Sequence, residues 1–236
     1  DALVGLRSYS LGQKRDVLIS LFKQEKHEGI VNEIISQLAN DADMTSKSLL
    51  LQAFKNNRAA IRDHVVKSIR IEAQNKSYFE AVLADSSYDV VKSSLEKLCA
   101  VYPNEASTFL KATKEVHGMF HSVRMKWLEL CIVHAYEADA AKIELVQYAG
   151  ADYEFRTRNQ AFLVLKSTGV FTDKLANYLL QAMLSTNGRL ASPAAELAAH
   201  FAAQLSYQSV MKKAIQTASF TKEERDQLLK YSFLRD

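Results

Sequence analysis

Residues 85–112, DSSYDVVKSSLEKLCAVYPNEASTFLKA, decide how this chain folds. At helical spacing Val90, Val91, Leu95 and Leu98 lie on one stripe, and Pro103 opens a second helix whose Ala106, Phe109 and Leu110 form another. Neither stripe can be covered inside its own hairpin. A unit of this kind must stack on copies of itself, so copies are expected on either side.

The copies are present. One column of late apolar anchors runs Leu38, Ile69, Leu98, Cys131, Leu165 and Phe201. Four residues earlier stand Ile34, Val65, Ser94, Trp127, Ala161 and Leu197; eight earlier stand Ile30, Ile61, Val90, Val123, Thr157 and Pro193. The first four repeats agree well and the last two drift, as end repeats do when one face meets something other than a copy. With 7 Gly and 2 Pro in 236 residues, the breakers that punctuate strand-and-turn folds are scarce. The predicted fold is all-α, an α-solenoid of HEAT-like helical hairpins forming a single repeat domain over residues 1–236.

Working outward, residues 1–12 are too apolar for a free tail and read as the close of a truncated repeat; with Asp1 in first place the chain reads as a C-terminal fragment of a larger protein. Val17, Leu18, Leu21 and Phe22 mark the first helix of a hairpin, and Ile30, Val31, Ile34, Ile35 and Leu38 the second. Thr45 or Ser46 is the expected cap of the next helix, and a short helix is expected near residues 77–83. Beyond Gly118 a helix is predicted over 119–135, with a partner through Ile143, Val146 and Tyr148. Helices follow over 155–165, stopped near Gly169, and over 172–184. After an expected turn at Asn187-Gly188 come an alanine-rich helix, a short helix through Val210 and Ile215, and a last one opened by the capping box Thr221–Glu224.

The formal charge of +3, on 30 basic and 27 acidic side chains, gives no global field that would draw nucleic acid or an anionic membrane. No apolar run is long enough to span a bilayer. Cys99 and Cys131 fall inside apolar helical pattern and read as buried thiols. Glycine-rich phosphate loops, the nucleophile elbow Gly-x-Ser-x-Gly and the zinc signature HExxH are all missing. His117 and His121 stand four apart, but Gly118 interrupts the segment and no acidic third ligand follows; ordinary histidines are the simpler reading. No catalytic, cofactor-binding or metal-ligating residue is therefore assigned.

One row of charge does recur. Arg62, Arg124 and Arg158 each stand seven residues before the anchor of their repeat. Stacking would set such residues along one wall, as candidate cavity-facing contacts for a peptide or another anion. The plainer reading pairs them with loop aspartates such as Asp85 and Asp152, or leaves them in solvent.

The pattern Asp85-Ser-Ser-Tyr88-Asp-Val90-Val91-x-x-x-Leu95-x-x-Leu98, followed by the Pro103 helix, resembles the HEAT-type repeats in the C-terminal region of aminopeptidase N-type zinc metallopeptidases. Phe120-His-Ser-Val123-Arg124 with Trp127-Leu128, and Asp152-Tyr-Glu-Phe155-Arg156, share its form. The resemblance implies a non-catalytic helical domain that packs on its own upstream peptidase domain and restricts the entry of peptide substrates. Zinc would then belong to that absent domain, with no cofactor in this chain. Two other classes fit the same repeats: a free-standing HEAT scaffold that binds an extended protein segment, and a helical-repeat nucleic-acid binder, which needs a more continuous basic face.

Overall fold

The computed structural model describes residues 2–235, among which stand fifteen α-helices and no strand. The chain divides between Glu115 and Val116 into two compact units. The first holds α1 (Ala2–Gly5), α2 (Leu11–Gln24), α3 (Glu28–Leu38), α4 (Met44–Ala53), α5 (Ala59–Ser68), α6 (Lys76–Ala81), α7 (Tyr88–Val101) and α8 (Ala106–Thr113). The second holds α9 (Ser122–Val133), α10 (Ala138–Tyr148), α11 (Phe155–Thr168), α12 (Asp173–Met183), α13 (Gly188–Ala202), α14 (Leu205–Thr217) and α15 (Lys222–Leu228).

In the first unit α3, α5 and α7 pack each on the next, with α2, α4 and α6 laid against them in turn. In the second, α9, α11 and α13 form the inner series, flanked by α10 and α12. Each unit is thus a stack of HEAT-like helical hairpins, the all-α solenoid pattern expected from the repeat. The three sequence columns explain why the hairpins stack. Of their eighteen positions all but Ile30 and Pro193 are buried, and each fully buried leucine or isoleucine stabilises by about 1.5–3 kcal/mol.

In α7 the stripe Val90, Val91, Leu95 and Leu98 is almost completely covered, and Ala106, Phe109 and Leu110 are covered on α8. Tyr102 N–H donates to the Leu98 carbonyl at 2.8 Å, and Pro103, which has no N–H to continue the ladder, starts a short 3-10 turn into α8. Lys97 on α7 reaches back to the end of α5. Its ammonium donates to the carbonyls of Val66 at 2.7 Å, Lys67 at 2.9 Å and Ile69. These are the acceptors a helix leaves unsatisfied at its C-terminus, so one lysine both ends α5 and ties two repeats together. Burial pushes its pKa below the ordinary lysine value.

Several local expectations shift. Asp43, not Thr45 or Ser46, caps α4, accepting from Thr45 N–H at 2.8 Å; an aspartate one residue before the helix outcompetes a hydroxyl already inside it. Asn187 is the N-cap of α13 and Gly188 its first residue, where a turn was expected. Val17 and Ile143 stay more than half exposed because their helices turn a neighbouring residue, Leu18 or Leu145 and Val146, to the interior. Residues 2–8 form α1 and a 3-10 turn, and residues 11–12 open α2. Polar contacts to backbone hold residues 2–8 down: Gln37 donates to the Leu3 carbonyl at 2.8 Å and Lys14 to that of Leu6 at 2.9 Å.

The largest departure is at the start of α9. Gly118 has φ +75°, and Phe120 and His121 follow with φ of 49° and 58°. Two consecutive left-handed residues cannot continue a helix, so the regular turns begin at Ser122, with Val123 and Arg124 N–H both closing on the His117 carbonyl at 3.1 Å. A Cβ at position 118 would come within 2.9 Å of Ser122 Oγ and of Val123 Cγ2. Gly118→Ala is expected to destabilise the protein by about 1–3 kcal/mol, from left-handed strain and this crowding. Urea titration followed by circular dichroism checks it; an unchanged midpoint would contradict it.

Candidate functional site

The three arginines each sit in the first turns of an inner helix, and each is more than nine-tenths buried. Arg62, in the first unit, is held on two sides. Its Nε and Nη2 donate to the two oxygens of Asp85 at 2.7 and 2.6 Å, and its Nη1 to the Asn56 carbonyl at 2.7 Å. Asp85 also accepts from Ser87 N–H at 2.7 Å, which fixes the loop ahead of α7. Burial alone would raise the Asp85 pKa, but the guanidinium and the amide outweigh it and hold the carboxyl below its ordinary value.

In the second unit Arg124 reaches α10 and Arg158 the carbonyl just past its end. Arg124 forks onto Glu144 at 2.6 and 2.5 Å and stacks on the Trp127 ring with its guanidinium carbon 4.0 Å from the centroid. Burial works against the Arg124 charge, yet the Glu144 carboxylate leaves its pKa raised. Asp152, the partner suggested by the sequence, stays exposed. Arg158 donates from Nε to the Ala149 carbonyl at 3.0 Å, while its buried Nη2 has no hydrogen-bond partner among the described residues. Burial without a matching carboxylate pushes its pKa below the ordinary arginine value.

An aromatic cluster lies beside the strained turn. The His121 ring packs 4.8 Å from Tyr148, 5.8 Å from His117 and 5.9 Å from Tyr153, and Tyr148 stands 4.7 Å from Tyr153. Burial lowers the His121 pKa, reinforced by His117, and pushes the Tyr148 phenol up to about 12. His117 precedes the left-handed turn and His121 is its last residue, so the two are not one turn apart on a helix. Among the described residues no group of three or more His, Cys, Asp or Glu side chains gathers to hold a metal ion. Cys99 and Cys131 are buried free thiols, and burial pushes Cys99 up to about 11, where it is protonated and unreactive at neutral pH. Among the described residues no helix is long and apolar enough to cross a membrane.

The loop aspartate Asp85 is the partner of Arg62 that the sequence offered; what sequence reasoning missed were Glu144 as the partner of Arg124 and the pairing of Arg15 with Asp41. Asp41 and Asp85 each stand three residues before a helix and receive both an arginine fork and the backbone N–H two residues on. The aspartate three residues ahead of the helix, shared by Asp41 before α4 and Asp85 before α7, was the available signal.

Compared with known proteins, the chain matches no family model. No curated protein matches it either.

Proposed function

We propose that this chain is the non-catalytic C-terminal helical domain of a zinc aminopeptidase, packing on the catalytic domain and restricting peptide access to its active site. The reading is supported by the repeat that begins at Asp85, whose spacing resembles the C-terminal repeats of that peptidase family. It also agrees with the architecture: each unit is a stack of helical hairpins whose inner helices bury arginines. The zinc, its ligands and the general base would all come from the upstream peptidase domain, as would the packing partner. In that setting the helical stack acts by position and exclusion, not by chemistry.

The reading has a direct test. The isolated 236-residue chain with added zinc should show no hydrolysis of aminoacyl-anilide substrates, and the gene should encode an HExxH domain upstream of Asp1. Robust hydrolysis by the chain alone, or a gene without that domain, would overturn it.

A further inference from the structure

The arginine row is unequal. Arg62 and Arg158 occupy equivalent places, each the fourth residue of its inner helix. Each donates to a carbonyl near the end of the preceding helix, Asn56 or Ala149. Arg62 spends its remaining fork on Asp85, three residues ahead of the next inner helix. The residue in that place for Arg158 is Ser185, three ahead of α13, and its Oγ accepts Asn187 N–H at 3.2 Å just as Asp85 accepts Ser87 N–H. The loop geometry is kept, and the carboxylate is gone.

A cleft of about 360 Å³ opens at this point, walled by Arg158, Gln181, Ser185, Phe220 and Glu224. Arg158 is 7% exposed and its Nη2 is buried with no partner. Glu224 shares the cleft, but its Oε2 is held by Thr221 N–H at 2.7 Å in the capping box of α15, and it makes no ion pair with Arg158. A buried guanidinium with an unmatched donor is costly, and a carboxylate satisfies it with paired charge-assisted hydrogen bonds.

We infer that the cleft between Arg158 and Ser185 is a binding site for a singly charged carboxylate, supplied by a ligand in the position that Asp85 fills internally in the first unit. Ser185 Oγ and the Gln181 amide offer further donors to it, and the Phe220 ring walls an apolar substituent. Glu224 selects against dianions such as phosphate, whose second charge it repels. The inference concerns the second unit alone and stands whether or not the peptidase reading does.

The test is a titration of the whole chain with propionate, following the Arg158 Nε–H resonance by NMR. Saturable binding is expected, at least tenfold weaker for phosphate. Ser185→Asp supplies the carboxylate internally, so it should weaken propionate binding at least tenfold and raise Tm by about 2–4 °C. Glu224→Gln keeps the cap and removes the repulsion, and should tighten binding several-fold. Arg158→Gln should abolish binding. An acetylated dipeptide with a free C-terminus and its C-terminal amide separate the sources: tighter binding of the acid alone marks a peptide end, and equal binding of propionate marks a small acid. Absence of saturable binding, a lowered Tm in Ser185→Asp, or binding that survives both Arg158→Gln and Ser185→Asp would overturn the inference.

Discussion

Asp85→Ala is expected to cost the fold about 3–5 kcal/mol, because it strands a buried guanidinium whose two best hydrogen bonds end on that carboxylate. The same change removes the acceptor of Ser87 N–H at the entry to α7. The double variant Arg62→Met/Asp85→Asn takes out the charge at both ends while keeping a loop acceptor, and should recover most of the loss. Urea unfolding of the three proteins measures this. A loss below about 1 kcal/mol in the single variant would mean the pair behaves like a surface ion pair.

The pair also carries a pH dependence. Its carboxyl is depressed in the folded protein relative to an ordinary aspartate near 3.9, so the stabilisation is fully present above that pH. It is lost as the pH falls through the lower folded-state value. Asp41, held down chiefly by the Arg15 guanidinium against the opposing effect of burial, acts in the same sense. The contribution of these two carboxylates should therefore be level from neutral pH to about 5 and fall below about 4. It lies beneath an earlier loss that begins near the ordinary histidine value of about 6.5, as His121, whose pKa burial lowers, takes up its proton. Asp85→Ala should flatten that acid limb.

Trp127→Ala should be comparably damaging, at about 3–5 kcal/mol. Trp127 is among the largest fully covered side chains, sits in the repeat column, and carries the Arg124 guanidinium on its face and Tyr136 against its edge. Removing the indole leaves a cavity that the rigid inner series α9, α11 and α13 cannot close, and deprives Arg124 of its stacking surface. Circular dichroism during urea unfolding reads the effect. Trp127→Phe, which keeps the aromatic face, should cost less than half as much.

The inner columns were readable because burial in a stack of helices follows spacing alone. Leu98, Leu165 and Cys131 had to face inward wherever their repeats went, and they do. Start signals made of adjacent residues were also readable: Thr172 caps α12 and Thr221 with Glu224 builds the box on α15, since both partners lie within one turn. The left-handed pair Phe120–His121 was not, because nothing about those residue types demands it; the loop from His117 forces it.

The sequence by itself determined the class of fold and the existence of an arginine row, because apolar periodicity and repeat spacing are properties of the chain read locally. Only tertiary structure decided which arginine is spent and which is not. Asp85 lies 23 residues from Arg62 and Ser185 lies 27 from Arg158, and no local rule says that either loop comes back onto its arginine. Stacking one hairpin on the next makes those meetings, and a single aspartate-to-serine difference in an otherwise preserved loop leaves one buried charge matched and the other waiting for a carboxylate.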